Sequence, residues 1–223
     1  MRVLLLTDSL GCPRPGTNVA ETWTDRILKR WESHENTFYT YCKHGLSARM
    51  IELEYIKELS PDIIIIQVGI VDACRRALRH QEVAIIARIP IVRDIIKSIC
   101  HKYHFLLTRI RNIHHCRLDQ FTKIIKEISN IPQNNRGGVL FINIAPAGVG
   151  LTERVYRIQD DIDKYNNVVK SIDDIIMLNP YVNSIESEFL LDDGHHLNER
   201  GQNLVFSCVN NALVSMIGDK KHE

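Results

Sequence analysis

Residues 62–68 read Asp-Ile-Ile-Ile-Ile-Gln-Val, so an extended strand here carries isoleucine on both of its faces. Such a strand must be covered on both sides, as a central strand is in a parallel sheet clothed by helices. Further short apolar, β-branched runs occupy residues 2–8, 37–42 and 138–144, with a weaker one at 181–185, and helical patterns separate them. That alternation predicts an α/β fold built as a three-layer α/β/α sandwich.

Spacing locates the helices. Ala20, Trp23, Ile27 and Trp31 recur on one face, and a second pattern from Ile51 to Leu59 stops before Pro61, which disfavours helix in the residue ahead of it. Ile158, Ile162, Tyr165, Val169 and Ile172 form a third stripe. The cleanest face comprises Leu204, Val205, Cys208, Val209, Ala212, Leu213, Met216 and Ile217, with Asn198 placed to cap its start and Gly218 its end.

Residues 73–118 break this rhythm. They hold ten Lys or Arg against two acids, Glu82 and Asp94, a net charge of +8 that leaves −7 on the remainder of a chain whose balance is +1. Apolar runs at 83–86 and 89–92 surround Pro90, and Ile95, Ile96, Ile99 and residues 105–107 follow. The segment predicts a basic helical lobe inserted after strand three, within one domain spanning residues 1–223. Its charge has three readings: a solvated face over an apolar core, attraction of an anionic substrate, or peripheral contact with an acidic membrane surface or a second copy in a homodimer. Confinement of the charge to one lobe without a recognition motif argues against nucleic acid.

Composition sets outer bounds. With 44% hydrophobic and 25% charged residues, 223 residues bury a core without staples. No apolar run reaches the length of about 18 residues that a membrane-spanning helix needs. The apolar stretch at residues 3–6 is too short for a secretory h-region, so a cytoplasmic location is expected. Six cysteines, Cys12, Cys42, Cys74, Cys100, Cys116 and Cys208, lack paired spacing and read as free thiols.

Two blocks carry chemistry. Thr7-Asp8-Ser9-Leu10 falls where the first strand ends, which puts a serine hydroxyl at the carboxyl edge of the sheet, where open α/β folds bind ligands. Near the other terminus, Asp193-Gly194-His195-His196-Leu197-Asn198 precedes Gly201 and the last helix. An aspartate three residues before a histidine can direct its carboxylate onto one imidazole nitrogen and leave the other facing outward. That is the base and orienter a serine nucleophile requires, since its hydroxyl is inert until a neighbouring base takes the proton. Asp192 and His195 offer the same spacing one residue earlier. Two other sets remain open: Cys100, His101, His104, His114, His115 and Cys116 as a zinc site, and residues 8–18, with Gly11, Gly16 and Thr17, as an anion loop in which Pro13 and Pro15 remove two N–H donors.

Together with His44-Gly45-Leu46-Ser47 after strand two and Gly69-Ile70-Val71-Asp72 after strand three, these blocks resemble, in order, those of the SGNH or GDSL hydrolase superfamily, over residues 2 to about 217. The resemblance implies that Ser9 is the nucleophile, His196 its base and then acid, and Asp193 the orienting carboxylate. It also implies an oxyanion hole from the N–H groups of Ser9 and Gly45. Thr7 stands in place of the first-block glycine, and Val71 in place of the third-block asparagine, so one side-chain oxyanion donor is missing. Such a loss costs roughly a hundred- to thousand-fold in turnover, and Arg75, Arg76 and Asn143 are the candidate substitute donors or substrate-binding groups.

The sequence thus predicts a flavodoxin-like five-stranded parallel sheet of order 2-1-3-4-5 with a helical insertion after strand three. Its expected activity is serine esterase chemistry on an acyl ester, an O-acetyl group on a carbohydrate such as one used in polysaccharide biosynthesis, with no cofactor or metal. Acyl transfer to a sugar hydroxyl on the same triad, or a catalytically impaired binding protein, are the alternatives.

Overall fold

The isoleucine run occupies the middle of the sheet, as its two apolar faces require. The computed structural model describes residues 1–14, 18–132 and 137–218. Within them β1 (Arg2–Thr7), β2 (Thr37–Cys42), β3 (Ile63–Gln67), β4 (Gly138–Ile142) and β5 (Ile175–Leu178) pair in parallel in the order β2-β1-β3-β4-β5. Ile63, Ile64, Ile65 and Ile66 are all fully buried. Thr7 lies level with Cys42 and Gln67, so the first three strands end flush. Asp8 N donates to Gln67 O and Lys43 N to Thr7 O, both at 3.1 Å, extending the ladder one step before the chains diverge.

Helices fill the intervals: α1 (Trp23–Trp31), α2 (Leu53–Leu59), α3 (Ile70–Ala73), α4 (His80–Ile86), α5 (Pro90–Lys102), α6 (His104–Arg111), α7 (Leu118–Ser129), α8 (Val149–Thr152), α9 (Ile158–Lys170), α10 (Glu186–Phe189) and α11 (Glu199–Gly218). The stripe from Ala20 begins as a single 3-10 turn, and α1 proper starts after Thr22, whose hydroxyl accepts Asp25 N at 3.3 Å. α2 stops at Ser60, which turns left-handed at φ 45° just ahead of Pro61. α1 packs on α11 and α7 on α9; Trp31 Nε1 donates to Asn210 Oδ1 at 3.1 Å in the first pair, and Phe121 meets Tyr165 edge-on at 4.9 Å in the second.

The fifth strand differs from the sequence expectation. It is Ile175–Leu178, whereas residues 181–185 form a turn leading to α10. Pro180 offers no N–H to a ladder, and Asn183 sits at φ +61°, so the β-branched residues beyond them cannot extend into a strand. The six cysteines are free.

α4, α5 and α6 form the predicted lobe. It joins the body through a bridge between Arg76 and Ile113, the Arg111 donation to Ala77 O at 2.8 Å, and Tyr156 N donating to the Thr108 hydroxyl at 3.1 Å. No helix among the described residues is long and apolar enough to cross a membrane.

Asp8, buried at the end of β1, has one oxygen bonded to Leu10 N at 2.9 Å and the other without a partner among the described residues. Burial pushes its carboxyl up to about 7, with the charge of Asp72 adding to the effect and the Leu10 bond opposing it. A folded-state value above the unfolded 3.8 means that folding favours the protonated form, so stability falls as pH rises from about 4 to about 7. Asp8→Asn is therefore expected to stabilise the chain at pH 8, by on the order of 1–3 kcal/mol, and to have little effect near pH 4. Urea unfolding of both proteins across that range measures the difference.

Candidate active site

Beyond β1 the chain turns sharply, with Gly11 N donating to Asp8 O at 3.3 Å, and Ser9 emerges at the carboxyl edge of the sheet with 9% of its surface exposed. The second block arrives from the opposite end of the polypeptide. Leu191 N donates to His196 O at 2.8 Å and Asn198 N to Phe189 O at 3.0 Å, closing the loop between α10 and α11. Asn198 caps α11 as expected, its side-chain oxygen accepting Gly201 N at 3.0 Å. Gly194 stands at φ +74°, and a Cβ there would lie 2.5 Å from Leu151 N, so only glycine lets this loop back onto α8. Gln202, buried in the first turn of α11, accepts Trp23 N at 2.9 Å and donates to Leu10 O at 3.0 Å, which ties the two blocks together.

Ser9 Oγ lies 3.0 Å from His196 Nε2, and His196 Nδ1 lies 2.7 Å from Asp193 Oδ2. The carboxylate only accepts, so Nδ1 carries the proton and Nε2 presents its lone pair to the serine hydroxyl. Asp193 Oδ1 also accepts the backbone N–H groups of His195 at 3.1 Å and His196 at 3.0 Å. Partial burial disfavours the Asp193 charge, but these donors and the His196 ring outweigh it and hold the carboxyl well below its usual range. Burial, followed by the charge of neighbouring His195, lowers His196 to about 4, against the opposing pull of Asp193. The two imidazoles lie 3.8 Å apart, centroid to centroid. This arrangement pairs a hydroxyl with a neutral base, and the register is His196 with Asp193; His195 instead faces the backbone oxygen of Asp193 at 3.2 Å.

Ser9 and His196 open onto a cleft of about 520 Å³. Gly45 lines it at φ +69°, and neither its N–H nor that of Ser9 has a backbone partner among the described residues. The loop holding Gly45 is pinned by Asp72, whose buried carboxylate accepts the Ser47 hydroxyl and Ala48 N, the latter at 2.9 Å. Val71 also lines the cleft and offers no donor.

The three candidate substitute donors separate. Arg75 is committed to Asp161 by two bonds of 2.6 and 3.2 Å, with both side chains nearly buried. Asn143 does not line the cleft, although it follows β4 as expected; its N–H donates to Leu178 O at 2.8 Å. Arg76 does line it, donates to Val71 O at 3.2 Å, and keeps a buried Nε without a partner among the described residues.

Several lining residues were not singled out by sequence: Arg14, Arg154, Leu151 and Val155. His44 of the second block also lines it, and His101 and His104, considered above for zinc, reach in from the lobe. Arg14 comes within 3.9 Å of Asp193. Nothing in the local pattern marks these residues, because only the fold brings them together. Among the described residues, four arginines and five histidines line the cleft with no carboxylate.

The six Cys and His residues considered for zinc do not assemble. His114 bonds Asp72 O at 3.0 Å, Cys116 is buried, and no three of the six offer ligand atoms within 4.8 Å of one another. That spacing is met, among the described residues, by Asp193, His195 and His196, whose atoms are also bonded to one another. Of the anion loop, Pro15, Gly16 and Thr17 lie outside the described residues, and Gly11 packs against Thr7 and Thr24.

No family model and no curated protein matches the chain. Solved structures do. A lipase/acylhydrolase from Enterococcus faecalis superposes with a TM-score of 0.60 at 17% identity, covering 95% of this chain and 94% of its own. A carbohydrate esterase family 3 protein from Talaromyces cellulolyticus gives 0.60 at 15% identity with 98% of both chains covered. A GDSL-like lipase from Bacteroides thetaiotaomicron gives 0.59 at 15% identity, covering 97% of this chain and 89% of its own. The chain thus has the α/β three-layer fold of the GDSL lipases and acylhydrolases.

Proposed function

We propose that this protein hydrolyses an acyl ester, an O-acetyl group on a carbohydrate, through an acyl-enzyme on Ser9. The observation that carries this reading is the continuous hydrogen-bond chain from Ser9 Oγ through His196 to Asp193 at the edge of an open cleft.

In this mechanism His196 Nε2 takes the hydroxyl proton as Ser9 Oγ bonds to the ester carbonyl carbon. Asp193 stabilises the imidazolium and keeps its orientation. The negative charge that develops on the carbonyl oxygen is received by the N–H groups of Ser9 and Gly45, with the Arg76 guanidinium supplying the donor that Val71 lacks. Collapse breaks the carbonyl–alcohol bond, His196 returns its proton to the departing alcohol, and water then repeats the sequence to release the acid and restore Ser9.

The cleft walls favour a small acyl group on a polar, anionic carrier. They combine the apolar side chains Ile70, Val71, Leu151 and Val155 with arginines and histidines, and these cations suit a carboxylate- or phosphate-bearing sugar.

Ser9→Ala and His196→Ala are each expected to reduce 4-nitrophenyl acetate hydrolysis by about 10⁴-fold or more, whereas His195→Ala retains most of it at neutral pH. Wild-type turnover that survives Ser9→Ala would overturn the reading. Because burial and His195 lower His196 to about 4, the base is neutral above that value; kcat/KM is expected to stay level from about pH 5 to 8 and to fall below about 4. Removing the charge of His195 should move that acidic limb to higher pH. Gln202→Ala, which frees the tie between the two blocks, is expected to lower kcat by about ten- to a hundredfold, measured in the same assay.

A further inference from the structure

The lobe is the part of the molecule that fails to build a core. α4 and α5 contain no buried residue, and α6 contains one, Thr108. Residues 83–110 carry eleven of the twenty large apolar side chains that the described surface exposes. They are ordered rather than scattered. Ile91, Ile95 and Ile99 recur every four residues along α5 at 76, 56 and 47% exposure, and Ile85, Ile89 and Ile110 elsewhere in the lobe are exposed at 63, 53 and 70%. A soluble helix with an apolar stripe normally turns it inward, so this outward stripe requires an occupant.

Charge selects which one. Arg93 and Lys97 lie one helical turn apart on the side of α5 opposite the stripe, and Arg88 and Lys102 are exposed ahead of α5 and at its last position. The two acids of the lobe are already bound, Asp94 to Arg93 and Glu82 to Arg111, and neither Arg88 nor Lys97 has an ion-pair partner among the described residues. A second copy of the same lobe would oppose the net charge of +4 on residues 80–111, six Lys or Arg against two acids, with another. An apolar stripe along one side of a helix whose other side carries Arg and Lys is the pattern of a segment lying in a lipid–water interface.

We infer that the lobe docks on the surface of an anionic lipid bilayer, with the isoleucines of α5 entering the headgroup boundary and the cations of its polar side drawn to the surrounding lipid phosphates. His101 of α5 and His104 of α6 line the cleft, so docking would hold the cleft mouth near that boundary and deliver esters carried on membrane-borne molecules. This last consequence rests on the esterase reading; the docking does not.

The test needs no turnover. The full chain is sedimented with vesicles of phosphatidylcholine alone and with vesicles containing about 30% phosphatidylglycerol at about 0.1 M salt. The anionic vesicles are expected to carry down at least about tenfold more protein, and the difference to collapse near 1 M salt. Ile91→Asp with Ile95→Asp is expected to abolish the gain, as is Arg93→Glu with Lys97→Glu; these positions are exposed, and circular dichroism checks that both variants fold. Absence of sedimentation, equal sedimentation with both vesicles, or binding undiminished in a folded variant would overturn the inference. So would light scattering that finds a dimer which the isoleucine substitutions disperse, since the face would then belong to a second copy.

Discussion

A single buried amide holds the two halves of the site in register. Gln202 reaches from the first turn of α11 to both Trp23 N and Leu10 O, so the helix that follows the histidine block is bonded to the turn that presents Ser9. The chain of bonds continues inward: Trp23, fully buried, donates its indole N–H to Gln67 at 2.7 Å at the end of β3. Away from water each of these groups would be costly to leave unpaired, so the network resists any relative shift of β1, α1 and α11. A hydroxyl and an imidazole from opposite ends of the chain can keep a 3.0 Å separation because the backbone beneath them is bonded in this way.

The same corner also contains groups that disfavour folding. Asp8 and Asp72 are both buried, with carboxyls pushed up to about 7 and about 6 mainly by desolvation. Asp72 is compensated by positioning, since its two oxygens hold the segment after Gly45. Asp8 is compensated only in part, with one oxygen shaping the turn at Leu10. Loss of stability in the service of geometry is common where a site must be held in one arrangement. Around these acids the cleft is cationic, and this contrast between a buried acidic floor and a basic wall distinguishes the site from a simple apolar acyl pocket.

Cleft and lobe are physically continuous. His104 bonds Arg154 O at 2.9 Å, and Phe105 packs edge-on against Tyr156, so the lobe's last helix is fastened to the loop that carries Arg154 into the cleft. Whatever restrains the outward face of the lobe therefore acts on one wall of the site through a short chain of contacts. The lobe is stabilised by these few attachments and not by a core of its own, and its exposed stripe follows from that.

Sequence alone determined what local patterning can encode. Four isoleucines in a row specify a doubly covered central strand, helical spacing marks α1, α9 and α11, and the Asp193–His196 pair lies within one loop. The resemblance to GDSL blocks then named Ser9 and Gly45. Tertiary structure decided what depends on contacts between distant segments: the Ser9–His196 distance across the chain, the loss of Arg75 to Asp161, the exclusion of Asn143 from the cleft, and the arrival of Arg14 and Arg154. It also moved the fifth strand to Ile175–Leu178, where backbone donors absent at Pro180 were available. Periodicity fixes which face of an element is buried, but strand order and register determine which side chains meet, and these depend on the whole packed sheet.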